Sequence, residues 1–415
     1  MKITIHRGTN EIGGSCVEIA TERSRILIDM GLPLDFGDMD DKNKKQVEAQ
    51  AWEWGRDAYA VFISHYHQDH HGLLRFLPGQ IPVYMTEGTR KMLEVSAMFM
   101  PWMGAGQDDF RLIEPARKST PAVPVTVGDI TVTAFTVDHS AYDACAFLIE
   151  TDSKRVLYGG DIRTHGVKGS LYRKLPVDVD CLLLEGTNVG SDKDLKSEDD
   201  VHAEFVSLFG ANPEKLTYVW CSGQNIDRLS KIAKAAFVNG RTLVVDMYVA
   251  ACLYEIHRLT GTTPSPMWGN VRVLYHKGYD FAEEGTNYAF LFKNQRVFSE
   301  DIRRSPGSYV FITRPSMLRY MQREFASVPA TYTVSIWRKY MEKEEGLRIW
   351  CEKNDVEISY IHSSGHADRE SLREIVYHID PRRIIPIHTE AKDKFPDLFS
   401  CPVIILDDNE TFELV

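Results

Sequence analysis

Ile63-Ser-His65-Tyr-His67-Gln-Asp69-His70-His71-Gly72 follows directly on the apolar run Tyr59-Ala-Val-Phe-Ile63. A strand here feeds a short loop that places three imidazoles and one carboxylate within residues 65–70. Imidazole nitrogen and carboxylate oxygen are the donors that suit zinc and similar divalent cations. No packing requirement gathers such side chains at a strand end. The competing reading, a hydrogen-bonded polar loop, accounts for the composition less well than a metal loop does.

One loop does not complete a metal site, so further donors are expected at other strand ends. His139 follows the strand expected over 130–137, in Val-Asp-His-Ser. Asp161 follows Val156-Leu-Tyr-Gly-Gly, where glycines let the backbone approach closely. His388 ends the apolar run Ile384-Ile-Pro-Ile387. Each alone reads as a hydrogen-bonded turn residue; beside the opening loop they read as ligands.

At 415 residues the chain is long enough for two or three domains with sizeable cores. No apolar run approaches the roughly 20 residues of a membrane helix, so no membrane partner is expected. The start, Met1-Lys-Ile-Thr-Ile-His6, alternates like an edge strand and does not read as a signal peptide. Seven scattered cysteines without a Cys-x-x-Cys pair argue for reduced thiols in a cytoplasmic protein. The net charge of −11 disfavours a binder that holds nucleic acid by a basic excess alone. Residues 186–365 carry 22 basic and 22 acidic side chains, so the remaining 26 and 37 hold all of the acidity.

The first 185 residues read as short strands at 2–6, 15–20, 25–29, 59–63, 82–85, 130–137, 145–150, 155–158 and 180–184, with helices near 44–54 and 86–98. The segment 100–124, rich in Pro, Gly and charge, reads as a long loop or lid. The polar stretch 189–200 reads as a boundary. Beyond it, strands at 216–220, 242–245 and 309–312 alternate with helices at 224–238, 248–258 and 315–325, the pattern of a parallel α/β sheet. A strand near 356–361, a helix at 368–378 and strands near 383–387 and 402–406 follow.

With these motifs in place, the chain resembles the metallo-β-lactamase superfamily, and within it the β-CASP nucleases, the group of ribonuclease J and of the endonuclease of mRNA 3′-end cleavage. Asp29 in Ile-Leu-Ile-Asp-Met-Gly is similar to the first family motif, and His65-x-His67-x-Asp69-His70 to the second. His139 and Asp161 match the third and fourth. Glu185 in Leu-Leu-Leu-Glu-Gly-Thr, His366 in Ser-Ser-Gly-His-Ala and His388 in Pro-Ile-His-Thr-Glu match β-CASP motifs A, B and C. The resemblance implies an αββα sandwich spanning 1–188 and 359–415, with an α/β β-CASP domain inserted over 189–358.

It further implies two zinc ions, with manganese as the alternative. His65, His67 and His139 would hold one ion; Asp69, His70 and His388 the other; Asp161 would bridge. Asp29 would support the loop without ligating, and His71 has no ligand counterpart. Two such ions suit phosphodiester hydrolysis by an activated water, which also makes Asp69 part of the catalytic set. His366 is expected to protonate the leaving oxygen, oriented by Glu185. A histidine at motif C leans the reading toward RNA, in single-stranded form, rather than DNA. The expected substrate contacts are Arg314, Ser316, Ser363, Ser364, Asn225 and Arg228, each of which also reads as an ordinary hydrogen-bonder. Trp337 and Tyr340 offer rings for stacking bases, although Trp337 in such a context more often belongs to a core.

The overall expectation is a metal-dependent ribonuclease. The alternatives are a lactamase-fold hydrolase of a small ester, thioester or lactam, a DNA-acting β-CASP nuclease, and an inactive scaffold. The insert and the Glu185/His366 pair count against the small-molecule enzyme, and the full ligand set against the scaffold. Ribonuclease J proteins carry a further C-terminal domain; with 27 residues after His388, that domain is expected to be missing here. The acidic charge leaves a role for a homo-oligomer or protein partner in holding substrate.

Overall fold

Two sheets built from the chain's alternating strands carry the proposed ligands. A computed structural model describes residues 1–191, 195–276 and 287–415. Residues 192–194 of the polar stretch 189–200 therefore lie outside the described residues. The first sheet runs Glu410–Glu413, Lys2–Arg7, Cys16–Ala20, Arg25–Ile28, Ala60–Phe62, Val83–Met85, Phe110–Leu112. The second runs Ile384–Ile387, Cys181–Glu185, Arg155–Tyr158, Cys145–Glu150, Ile130–Thr136, Val125–Val127.

The two sheets share one core. Ile3, Ile5, Val17, Ile19, Ile26, Ile28 and Phe62 from the first meet Ile130, Val132, Ala134, Phe147, Ile149, Val156 and Leu183 from the second. Within each strand these residues are spaced by two, which is the pleat aiming alternate side chains at one face. Helices Asp41–Gly55, Glu87–Phe99 and Arg369–Ile379 flank the sheets. Their starts are capped by Asp40, Thr86 and Asp368, whose side chains accept from backbone N–H groups of the first turn.

The segment 100–124 departs from the expected plain loop. Phe110–Leu112 is an edge strand parallel to Val83–Met85. Three residues with an exposed arginine at the centre carry no alternating signal strong enough to mark a strand.

Residues 195–364 form a second unit, and 1–194 with 365–415 the first. The junctions thus fall six residues beyond the expected 188/189 and 358/359. Glu357–Tyr360 pairs parallel with Ala330–Val334, which keeps that strand in the second unit. Its sheet runs Arg296–Val297, Val271–Leu274, Thr242–Asp246, Tyr309–Thr313, Leu216–Trp220, Ala330–Val334, Glu357–Tyr360, and every neighbouring pair is parallel. Parallel strands need crossovers, and Ile226–Val238, Met247–Thr260, Leu318–Phe325 and Glu345–Lys353 supply helices for them. Near-continuous apolar runs such as Thr242-Leu-Val-Val-Asp246 suit a sheet covered on both faces.

Candidate metal centre

The opening loop is shaped by Asp29, which ends the strand Arg25–Ile28 in a left-handed conformation with φ 59°. Its carboxylate is fully buried. Oδ1 accepts the Ser64 backbone N–H at 2.7 Å, and Oδ2 accepts the Ser64 hydroxyl, the Tyr158 hydroxyl and His70 Nδ1, each at 2.7 Å. Gly31 lets the chain pass the loop closely: a Cβ there would lie 1.8 Å from the Asp69 carbonyl oxygen. Both features serve to hold residues 64–70 in one shape.

Proton bookkeeping around this loop decides which ring nitrogens are bare. The Ser64 hydroxyl donates to Asp29, so it accepts from His65 Nδ1 at 3.0 Å. His70 Nδ1 donates to Asp29. His139 Nδ1 donates to the Gly365 carbonyl at 2.7 Å. In a neutral imidazole only one nitrogen carries hydrogen, so Nε2 of His65 and His139 each present a lone pair, and Nε2 of His70 does so when a metal takes the place of its second proton. His67 Nδ1 lies 3.1 Å from His65 Nε2 and 3.2 Å from His139 Nε2. Three ring nitrogens therefore face one another with at most one hydrogen among them, and His70 Nε2 is buried without a hydrogen-bond partner. A cation resolves both conflicts, so the donor set fits a metal.

Asp161 sits among them. Its Oδ2 lies 3.7 Å from His65 Nε2, 3.6 Å from His139 Nε2 and 3.2 Å from His70 Nε2, and its Oδ1 lies 3.8 Å from His388 Nε2. Asp69 Oδ2 is 3.4 Å from His388 Nε2 and 3.9 Å from His70 Nε2. The donors fall into three overlapping groups that could hold an ion: His65, His67, His139 and Asp161; Asp69, His70 and His388; and Asp161, His366 and His388. His388, like Asp29, is left-handed, at φ 51°. Non-glycine residues take that conformation rarely, and then mostly in special settings.

The electrostatics favour the ligating protonation states. Burial, reinforced by neighbouring imidazoles, drives His65 and His139 well below the ordinary histidine range and His67 down to about 4. The surrounding histidines hold Asp69 and Asp161 ionised against the burial that opposes it. His70 is the exception. Against its burial, Asp161, Asp29 and Asp69 push it well above the usual range. Three carboxylates around one ring, Asp29 at Nδ1 and Asp161 and Asp69 at Nε2, call for a positive charge there, proton or metal.

His366 stands at the edge of this set with a partner of its own. Its Nδ1 is 3.1 Å from Glu185 Oε1 and 3.1 Å from the Thr187 hydroxyl. Burial opposes its charge, but Glu185 first, then Asp161 and Asp69, push it up to about 9. Glu185 is fully buried at the end of Cys181–Glu185, and its Oε2 accepts the Thr187 backbone N–H at 3.0 Å.

The sequence motifs did not mark several residues that build the site. Thr187 touches both His366 and His388 Nδ1, the latter at 2.9 Å. Asp138 and Arg163 form a buried pair at 3.0 Å that ties the loop of His139 to the loop of Asp161. Gly13, at φ 81°, faces Asp69 so closely that a Cβ would lie 2.9 Å from its Oδ2. Asp138, beside His139, and Thr187, two residues after Glu185, are the ones that adjacency to a motif hinted at. His71 is buried, burial holds it down to about 4, and neither ring nitrogen has a hydrogen-bond partner. It belongs to none of the donor groups.

The six expected substrate contacts all lie in the second unit. Arg228 is enclosed, paired with Glu198 at 2.8 Å, and has no surface left for a phosphate. Asn225 accepts from Arg228 N at 3.0 Å as the cap of Ile226–Val238. Ser363 is buried with its hydroxyl on the Lys196 carbonyl. Arg314 is half-buried, bound to Asp246 and to the Ser316 hydroxyl. Ser316 is exposed and Ser364 half-buried. Trp337 and Tyr340, 46% and 43% exposed, form an edge-to-face pair at 5.8 Å, so Trp337 is not a core residue.

Two sheets sharing a core, with His and Asp donors gathered at their strand ends, define a metal-binding site of the metallo-β-lactamase class. Residues 24–209 match the beta-lactamase superfamily domain, and residues 355–398 the Zn-dependent metallo-hydrolase RNA specificity domain. An RNase J-like protein of Methanocaldococcus jannaschii is 29% identical over 212 residues, covering 47% of this chain and 44% of its own. Ribonuclease J of Sinorhizobium meliloti is 24% identical over 361 residues, covering 82% of this chain and 59% of its own. Integrator complex subunit 11 of Danio rerio is 21% identical, covering 100% of this chain and 74% of its own. The chain thus spans about half the length of the ribonuclease J-like relatives. The crystal structure of a protein of unknown function from Enterococcus faecalis shares the fold, with a TM-score of 0.78 over 99% of each chain at 22% identity. The two matched domain models and these relatives make the chain similar to the metallo-β-lactamase superfamily, in its β-CASP, ribonuclease J-like branch.

Proposed function

We propose that the protein is a metal-dependent ribonuclease. The observation that carries the reading is the convergence of the donors on Asp161, together with His366, which lies at the edge of that set and is tied by Nδ1 to the buried Glu185 rather than left to a metal alone. A simple metal hydrolase needs the donors; the added acid–carboxylate pair suits a reaction whose leaving group must be protonated. The match of residues 355–398 to an RNA specificity domain, and the names of the relatives, favour RNA as the substrate.

The ligand assignment follows the first two groups. His65, His67 and His139 would hold one zinc ion, and Asp69, His70 and His388 a second, with Asp161 shared; manganese suits the carboxylate-containing group as well. When bound, such ions acidify a water and neutralise charge growing on phosphate oxygens. The chain's own residues do the rest. Glu185 and Thr187 fix the His366 ring through Nδ1, and His366 Nε2 delivers the proton to the leaving ribose oxygen. Asp29, through His70 and Ser64, keeps the loop in its ligating shape. In the second unit Arg314, Ser316 and Ser364 are proposed phosphate contacts, and Trp337 with Tyr340 a stacking pair for single-stranded bases. All seven cysteines are free, which fits a reducing, cytoplasmic setting. Among the described residues no helix is long and apolar enough to cross a membrane.

The test uses RNA and DNA of one sequence, each labelled separately at either end, with and without chelator, beside Asp69→Ala. The expected result is cleavage of RNA that chelator abolishes, metal restores and Asp69→Ala lacks. Chelator-resistant cleavage, or hydrolysis of small esters with intact RNA, sinks the proposal.

A further inference from the structure

Arg228 joins the two ends of the inserted unit. It lies on Ile226–Val238 and is fully enclosed. On the entry side its Nε and Nη2 donate to Glu198 at 3.0 and 2.8 Å. On the exit side Nη2 donates to the Ser363 carbonyl at 3.1 Å and Nη1 lies 3.3 Å from His362 Nδ1, while Nη1 also donates to the Ser335 hydroxyl at 2.7 Å, just after the strand Ala330–Val334. The Ser363 hydroxyl in turn donates to the Lys196 carbonyl, closing a contact between residues 167 apart in sequence. One buried guanidinium therefore pins the segment that enters the unit to the segment that leaves it.

The exit segment leads straight into the metal centre. Two residues beyond Ser363, the Gly365 carbonyl accepts His139 Nδ1 at 2.7 Å. The next residue is His366. The approach is tight: a Cβ at Gly365 would lie 2.6 Å from the Ser140 hydroxyl oxygen and 3.2 Å from His139 Cε1. A shift of residues 363–365 would be passed to the His139 ring through this hydrogen bond and would carry His366 with it.

We propose that Arg228 is a positioning residue for the metal centre. It holds the Ser363 carbonyl, which sets the run 363–366, which orients His139 through Gly365 and places His366. The fork of a guanidinium makes these bonds to both segments at once; an ammonium keeps the charge and loses the fork. The inference rests on the metal centre described above and replaces the expectation that Arg228 binds phosphate.

The test compares Arg228→Lys with Glu198→Gln. The second removes the charge of the ion pair but keeps an amide oxygen that accepts from Arg228 and leaves the bonds to Ser363 and Ser335, so the fork stays in place while stability is lost. Three quantities are read: cobalt(II) affinity of the metal-free protein by absorbance, hydrogen exchange over residues 362–367, and kcat and KM on labelled RNA at saturating metal. Arg228→Lys is expected to weaken cobalt binding about tenfold or more, the size of effect typical when a ligand's orienting partner is lost. It should speed exchange over 362–367 and lower kcat with KM within about twofold. Glu198→Gln should keep cobalt affinity within about twofold at a comparable loss of unfolding stability. Should Arg228→Lys not fold, the double variant Arg228→Gln/Glu198→Gln, which buries no lone charge, carries the same expectation. Unchanged cobalt affinity in Arg228→Lys, a rise in KM alone, or metal loss that tracks stability equally in both variants overturns the proposal. An inactive parent protein would refute the ribonuclease reading and leave the cobalt comparison to decide this one.

Discussion

Asp29 is the residue on which most of the site's geometry turns. It accepts four hydrogen bonds, from Ser64 twice, His70 and Tyr158, and touches two consecutive elements of the ligand loop. Asp29→Asn keeps a residue that tolerates its left-handed backbone and removes the carboxylate that orients His70. Metal affinity is expected to fall by about 10–100-fold, measured by calorimetric titration, with the fold retained. Gly31→Ala should be worse, because its Cβ meets a backbone oxygen that has no side-chain freedom to yield. A stability loss above about 2 kcal/mol in denaturant unfolding is expected. The ligand loop itself was legible because its donors are close in sequence. His139, Asp161 and His388 were legible as polar residues where strands end. Gly13 and Arg163 were not, since each acts through a partner brought near only by folding. Arg228 was misread for the opposite reason: a basic residue at a helix start resembles an anion contact until Glu198 is seen beside it.

At the scale of elements, strand Cys16–Ala20 carries a half-buried acid between two bases. Glu18 lies 2.9 Å from His6 Nε2 on the neighbouring strand Lys2–Arg7 and 2.6 Å from Arg25 Nη2 on Arg25–Ile28. Burial works against its charge, yet His6 and Arg25 lower its pKa from 4.5 to about 2. A carboxylate depressed in the folded state stabilises fully above its unfolded value and loses that contribution as pH falls toward the folded one. The melting temperature is therefore expected to drop between pH 4.5 and about 2. Glu18→Gln should lower it at neutral pH and flatten that part of the profile. A variant that melts with the parent's pH dependence would show that the three-strand pairing does not rely on this charge. Most strands of the first unit could be read from alternation, since each has one face on the shared core. Phe110–Leu112 could not, because three residues at an edge bury too little to leave a pattern. The end of the inserted unit was placed too early for a related reason. Glu357–Tyr360 has a mixed, partly exposed burial pattern, and only its pairing with Ala330–Val334 shows where it belongs.

At the scale of the molecule, the proposed metal donors come from positions 65 to 388, and all belong to the first unit. Metal held there would tie together both halves of that unit's chain and would stabilise it by mass action, by about 2.7 kcal/mol when free metal is a hundredfold above its dissociation constant. In calorimetry, chelator should lower the transition of the first unit and leave that of the 195–364 unit in place. A chelator-insensitive scan would mean that the donors hold no metal in solution. The neutral charge of 186–365 against the acidic remainder was visible in composition, and it drew attention to the insert without revealing how its ends are joined. Composition reports what a segment carries; the link from Glu198 through Arg228 to Ser363 depends on chain geometry.

The account stands or falls on a division of labour: metal held by the His/Asp donors, and a proton supplied by His366 held on Glu185. The most direct measurement is turnover of labelled RNA by His366→Ala, with zinc content determined on the same sample. The account predicts turnover reduced by about 10²–10⁴-fold, the usual size of a general-acid contribution, with the zinc content of the parent. Full turnover, or zinc lost along with activity, would contradict it.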